Sequence, residues 1–118
     1  MDDNHTKAIN DVAERMYLIA RDHGFHDRDG STIIIARMAE FCANLHGEVS
    51  ELWEAARKGN LDKPCDKPVL LTCAEEELAD IVIRVMDTAV ALHIDLGRAI
   101  TLKSGYNHTR PFMHGKQA

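Results

Sequence analysis

IARMAEFCANLHGEVSELWEAARKG, residues Ile35 to Gly59, carries the strongest periodic signal in the chain. Its apolar positions are Ile35, Met38, Cys42, Leu45, Val49, Leu52 and Ala56, in alternating steps of three and four. On a helix that spacing draws one continuous stripe, close to a heptad seam. It predicts a long helix that opens near Ser31 or Thr32 and stops at Gly59. Cys42 lies on the stripe and reads as a small core residue. Glu48 sits about 100° round from the seam, beside Phe41 and Ala55, and Glu51 further round, beside Asn44 and Lys58. One glutamate should therefore be sheltered and the other wetter.

The same reasoning extends outward. A first helix from Thr6 to His23 follows from Ile9, Val12, Ala13, Met16 and Ile19 or Ala20, with Gly24 as its stop. Leu61 to Leu71 contains Pro64 and Pro68 and reads as a loop. Thr72 then offers an N-cap with Glu75 at the capping-box position, opening a third helix that runs to about Ile94. That helix is apolar nearly all round: Leu78, Ala79, Val82, Ile83, Val85, Met86, Ala89, Val90 and His93 leave only a narrow polar stripe of Glu77, Asp80, Arg84, Asp87 and Thr88. Such a helix belongs at the centre of a bundle or in a subunit interface. Asp95 can cap a short fourth helix, Leu96 to Gly105, followed by the polar tail YNHTRPFMHGKQA. No strand pattern and no internal repeat occurs. The expectation is one all-α domain over residues 1–118, an antiparallel helical bundle.

Bulk properties narrow the function. A net charge of −5 with no basic face argues against nucleic-acid polymers as partners. The apolar stretches are too short for a bilayer, and the acidic opening MDDNHTKAIND is unlike a signal peptide, so a cytoplasmic protein without membrane contact is the simplest reading. Three cysteines, Cys42, Cys65 and Cys73, without a C-x-x-C argue against a disulfide framework or zinc ribbon. Seven histidines show no H-x-x-x-H pair, which removes support for zinc-peptidase chemistry. His26-Asp27 matches a fragment of an HD phosphohydrolase, but no set of partner ligands accompanies it.

Two carboxylate pairs remain: Glu48-x-x-Glu51, and, after 25 intervening residues, Glu77-x-x-Asp80. A spacing of three aims both members of a pair to one side of a helix. Two such helices face to face would build an all-oxygen cage, which suits Mg²⁺ or Mn²⁺ rather than zinc or copper. A di-iron bundle would show Glu-x-x-His, and position 51 is Glu and position 80 Asp. Any single pair is most often a solvated helix face. Four acids brought together without a cation would raise one another's pKa.

In three segments the chain resembles the all-α, MazG-like nucleoside triphosphate pyrophosphohydrolases: HGEVSELWEAARKG (His46 to Gly59), EEELADIVIRVMD (Glu75 to Asp87) and K-x-x-YN-x-x-RP (Lys103 to Pro111). The resemblance implies that Glu48, Glu51, Glu77 and Asp80 bind Mg²⁺, with Mn²⁺ as a substitute. It further implies that Glu48 or Glu51 activates water, and that Lys103, Tyr106, Asn107 and Arg110 approach the substrate. Many members open the first motif with two adjacent glutamates; Gly47 stands there instead. The implied reaction cuts a (deoxy)nucleoside triphosphate between the α and β phosphates, releasing monophosphate and pyrophosphate. Nucleotide-pool housecleaning is the implied role, and a homodimer or homotetramer the implied assembly.

Asn44 and Asn107 carry paired donors and acceptors for a base, and Trp53 or Tyr106 could stack on it. Trp53 lies near the seam, where a core role competes, and His46 is open to a packing role. Two other functional classes use the same residues. A non-catalytic helical interaction module would leave the acids on the surface, and a nucleotide-binding regulator would keep the site without turnover.

Overall fold

The computed structural model describes residues 3–26 and 34–111, without the side chains of residues 34 and 35. Among the described residues four helices form an all-α bundle: α1 (Asp3–Asp22), α2 (Ile34–Arg57), α3 (Cys73–Ala91) and α4 (Leu96–His108). Among the described residues no strand forms, and Pro64 and Thr72 make one isolated bridge. No described helix is long and apolar enough to cross a membrane.

Local chemistry explains the helix ends. Thr72 is extended and accepts from the Glu75 backbone N–H at 3.2 Å, while Glu75 accepts from the Thr72 N–H at 2.8 Å. This reciprocal box satisfies two donors that the first helical turn would otherwise leave open. Asp95 accepts from the Arg98 N–H at 2.9 Å and starts α4. Gly24 and Gly59 both take positive φ, 84° and 72°, where glycine carries no Cβ penalty. The chain reverses after each, with Phe25 N–H bonded to Ala20 O and Asn60 N–H to Ala55 O.

The helix around which the others gather is α3: it packs on α1, α2 and α4, while α1 also packs on α4. Of the two places expected for the third helix, bundle centre or subunit interface, the first is observed. Ala13 and Ala89 are the buried apolar side chains among the described residues. The α1–α4 contact is polar. Asn10 donates to Asp95 at 2.8 Å and accepts the Gly97 N–H at 2.8 Å, and the hydroxyls of Thr6 and Thr101 lie 3.0 Å apart.

Gly97 is buried, and a Cβ there would come within 2.4 Å of the Thr6 carbonyl oxygen. Backbone on both sides cannot yield. Gly97→Ala is expected to destabilise the fold by about 1–3 kcal/mol through overpacking. Gly105 supplies the control, because a Cβ there meets nothing within 4 Å. Gly105→Ala in the same helix should be stabilising by up to ~1 kcal/mol from helix propensity alone. Thermal melting of the two variants should move in opposite directions.

Several expectations need correction. The helix after Asp95 does not end at Gly105 but runs through His108, so Tyr106 and Asn107 are helical rather than part of a tail. Gly105 does not take the positive φ of Gly24 and Gly59, and a lone glycine inside a helix costs only about 1 kcal/mol. The third helix ends at Ala91, and His93 adopts φ 59° where the apolar pattern predicts helix. The first helix starts earlier, at Asp3. Ser31 and Thr32, expected to open the second helix, lie outside the described residues. Cys42 is exposed, and Val49 on the same seam is 48% exposed. The seam is real as a periodicity, but α2 packs chiefly on α3, and one neighbouring helix covers only part of it. Apolar residues of α3 are left open in the same way: Leu78, Val82 and Ile83 are all exposed.

Candidate functional site

The interface between α2 and α3 brings acids from both helices together. Glu48 and Glu51 come from α2 and Glu77 from α3, and one carboxylate oxygen of each lies within 4.8 Å of the other two. Glu48 is half-buried and Glu51 exposed. That is the difference expected from their angles to the seam: α3 covers the flank on which Glu48 sits and leaves Glu51 at the rim.

Asp80 is one turn beyond Glu77 on α3 and stands outside this grouping. It nevertheless feels the same acids. Burial raises its pKa first, followed by the charge of Glu48; Glu76 and Glu51 add to the rise, and Arg84 opposes it. Glu77 is more perturbed. Burial, then the charge and contact of Glu51, push its carboxyl up to about 7, with Glu76 and Asp80 adding to the effect. Its Oε2 is buried and has no hydrogen-bond partner among the described residues.

An orphaned carboxylate oxygen beside two further carboxylates is costly, because burial and like charge both oppose ionisation. A hard divalent cation would relieve both terms, so the donor set suits Mg²⁺ or Mn²⁺ in chemistry and charge. Exposed acidic groups also occur commonly without an ion. The glycine at position 47 is not imposed by packing, since a Cβ there would meet nothing within 4 Å.

Glu76 is drawn away from the group. The loop between α2 and α3 is held by Cys65 N–H to Leu71 O, Cys73 N–H to Lys63 O and Ala74 N–H to Leu61 O. It sends Lys67 back to α3, 3.1 Å from Glu76. Asp66 and Glu76 together hold the Lys67 ammonium above its ordinary pKa.

The residues expected at the substrate come from α2 and from α4 with the segment just after it. Asn44 is exposed on α2, and Lys103, Tyr106 and Asn107 lie on α4 with Arg110 just beyond it. Among the described residues none of the five makes a hydrogen bond or ion pair with the four acids. The α4 residues instead group with one another. Lys103 Nζ lies 4.8 Å and Arg110 Cζ 5.5 Å from the centre of the Tyr106 ring. Lys103 and Asn107 also line an open depression of about 380 Å³ with Ala99, Ile100 and Ser104. Asn107 Oδ1 is buried without a partner among the described residues. Trp53 is 65% exposed, so a core role does not apply to it within one chain. His46 is exposed as well.

Three contacts are not legible in the sequence. Arg84 donates from Nε to Glu48 Oε1 at 2.9 Å. His26, with its side chain 7% exposed, pairs with Asp87 of α3 and stacks on Tyr17, ring centroids 4.6 Å apart. His26 thus ties the turn after α1 to the central helix, and Asp27, its partner in the HD dipeptide, lies outside the described residues. The one available signal is the polar stripe of α3, which holds both Arg84 and Asp87 but does not reveal their partners. In comparisons with known proteins, no family model, no curated protein and no solved structure matches this chain.

Proposed function

We propose that the chain is a Mg²⁺-dependent nucleoside triphosphate pyrophosphohydrolase of the MazG-like kind. The observation that carries the reading is the convergence of Glu48, Glu51 and Glu77 within 4.8 Å, with Glu77 Oε2 buried and unbonded among the described residues. The three motifs that resemble the family supply the reaction. In this reading Glu48, Glu51 and Glu77 hold Mg²⁺, with Asp80 one turn away to complete the set. The cation supplies positive charge for the phosphate oxygens and acidity for the attacking water. Glu51 is the better general base of the two candidates. It is exposed, whereas one oxygen of Glu48 is already engaged by Arg84.

The α4 cations take part through assembly in this reading. Val49, Trp53, Leu78 and Val82 are exposed apolar neighbours of the acids in sequence. A second copy of the chain, in a homodimer or homotetramer, would cover them and could bring Lys103, Tyr106, Asn107 and Arg110 to the triphosphate. The same exposed apolar residues also favour a second reading, a helical interaction module without turnover.

A panel of canonical and modified nucleoside triphosphates, incubated with Mg²⁺ and analysed for products, separates the readings. The expected result is monophosphate and pyrophosphate in one step. Diphosphate with orthophosphate would overturn the α–β assignment. Neither hydrolysis nor Mg²⁺-dependent nucleotide binding across the panel would leave the interaction module.

A further inference from the structure

Arg84 stands one helical turn beyond Asp80 and two beyond Glu77 on α3, on the same polar stripe. Its Nε reaches across to α2 and donates to Glu48 Oε1 at 2.9 Å. The Glu48 side chain is 13% exposed and that of Arg84 36% exposed, so the pair is sheltered at the carboxylate and open at the guanidinium. Arginine carries five N–H donors. Among the described residues only the one on Nε meets a protein acceptor, and the two terminal amino groups donate to no other protein group. The guanidinium is planar and rigid, so fixing Nε on Glu48 also fixes where those amino groups stand.

Arg84 is the one cation bonded to any of the four acids among the described residues. A surface ion pair of this length would ordinarily be worth little. Here one partner belongs to the convergent carboxylates, and the other keeps its terminal donors unspent beside them.

We propose that Arg84 grips phosphate oxygens of the substrate at the acid centre, while its Nε bond to Glu48 sets its position. The inference rests on the pyrophosphohydrolase reading, and the ligand class is a diphosphate or triphosphate group. A carboxylate cluster in a chain of net charge −5 repels such a polyanion. A guanidinium held at the cluster supplies an attraction at the acids themselves, with which Lys103 and Arg110 make no ion pair among the described residues. Its terminal amino groups match the bidentate geometry of phosphate oxygens.

The test uses Arg84→Met, which keeps the apolar stem, and Arg84→Lys, which keeps the charge. Hydrolysis kinetics with Mg²⁺, calorimetric binding of pyrophosphate with Mn²⁺, binding of Mn²⁺ alone and thermal melting are measured on the full chain. One charge-assisted contact predicts a ten- to hundredfold rise, roughly, in KM and in the pyrophosphate Kd for Arg84→Met. The Kd for Mn²⁺ alone should not rise with it, because removing a cation that competes for Glu48 offsets the lost orientation of that carboxylate, and kcat should change by no more than about threefold. Arg84→Lys should recover part of the loss, because an ammonium cannot grip two oxygens in a fixed plane.

Wild-type KM and pyrophosphate binding in Arg84→Met would overturn the proposal while leaving the activity standing. Equal losses of Mn²⁺ and pyrophosphate binding would also overturn it, since they would mean that Arg84 only shapes Glu48. A wild-type protein that hydrolyses no nucleotide, yet loses pyrophosphate binding selectively in Arg84→Met, would remove the pyrophosphohydrolase reading and keep the anion contact.

Discussion

Glu51→Gln and Glu77→Gln should each abolish Mg²⁺-dependent hydrolysis while leaving the helical content intact. Both substitutions keep the shape of the side chain and remove a negative oxygen from a group of three carboxylates that meet within 4.8 Å. An amide is a poor ligand for a hard cation, and an amide in place of the Glu51 carboxylate could not accept a proton from water. Loss of a partner one shell further out already costs roughly ten- to hundredfold in metal affinity or activity, so loss of a direct ligand should cost at least that much. Pyrophosphate release and circular dichroism on the same samples decide the matter. Full activity in both variants would remove the acid centre from the mechanism. Activity lost together with the helical signal would show that the acids serve the fold.

The second large effect is on stability against pH. Glu77 is pushed up to about 7, by burial first and by Glu51 next, from an ordinary value of 4.5. A raised carboxyl favours the protonated form in the folded state. Below pH 4.5 the folded and unfolded chains both hold the proton, and the folded state carries no penalty. As pH rises from there to about 7, the unfolded chain gives up this proton while the folded protein still holds it, so stability falls. Asp80, raised for the same reasons, adds with the same sign.

The carboxylates whose pKa is lowered act outside this window. Glu54, Asp66, Glu75 and Asp95 stabilise the fold above their ordinary values and lose that effect only in more acidic solution. The metal-free protein should therefore melt at progressively lower temperature between about pH 5 and 7.5. In Glu77→Gln this decline should largely vanish, leaving the variant more stable than wild type at about pH 7.5 by roughly 1–3 kcal/mol. Mg²⁺ should raise the wild-type melting temperature at about pH 7.5 and do little near pH 5, where protons hold the ligands. A flat wild-type profile, or an equal Mg²⁺ effect at both pH values, would mean that the acids are neither crowded nor metal-linked.

What the sequence shows by itself lies within a turn or two of the residue concerned. The steps of three and four along Ile35 to Gly59 identified α2, because helical periodicity is a property of the segment itself. Thr72 with Glu75, and Asp95, marked helix starts for the same reason: a cap bonds to backbone two or three residues away. Even the contrast between sheltered Glu48 and exposed Glu51 followed from their angles to the seam, since a helix that packs on its seam also covers one flank.

Tertiary structure decided the rest. Which flank of α2 meets which stripe of α3 depends on how two helices cross, and no local pattern encodes that angle. So the Arg84–Glu48 pair, 36 residues apart, and the His26–Asp87 pair, 61 apart, appear only once the helices are packed. The buried face of Gly97 had no signal of its own, because the constraint comes from the Thr6 carbonyl on another helix. The exposure of Cys42, Val49 and Trp53 has the same origin. Periodicity states that a face is apolar, but burial requires a neighbour, and α3 alone is not wide enough to cover the face that α2 presents.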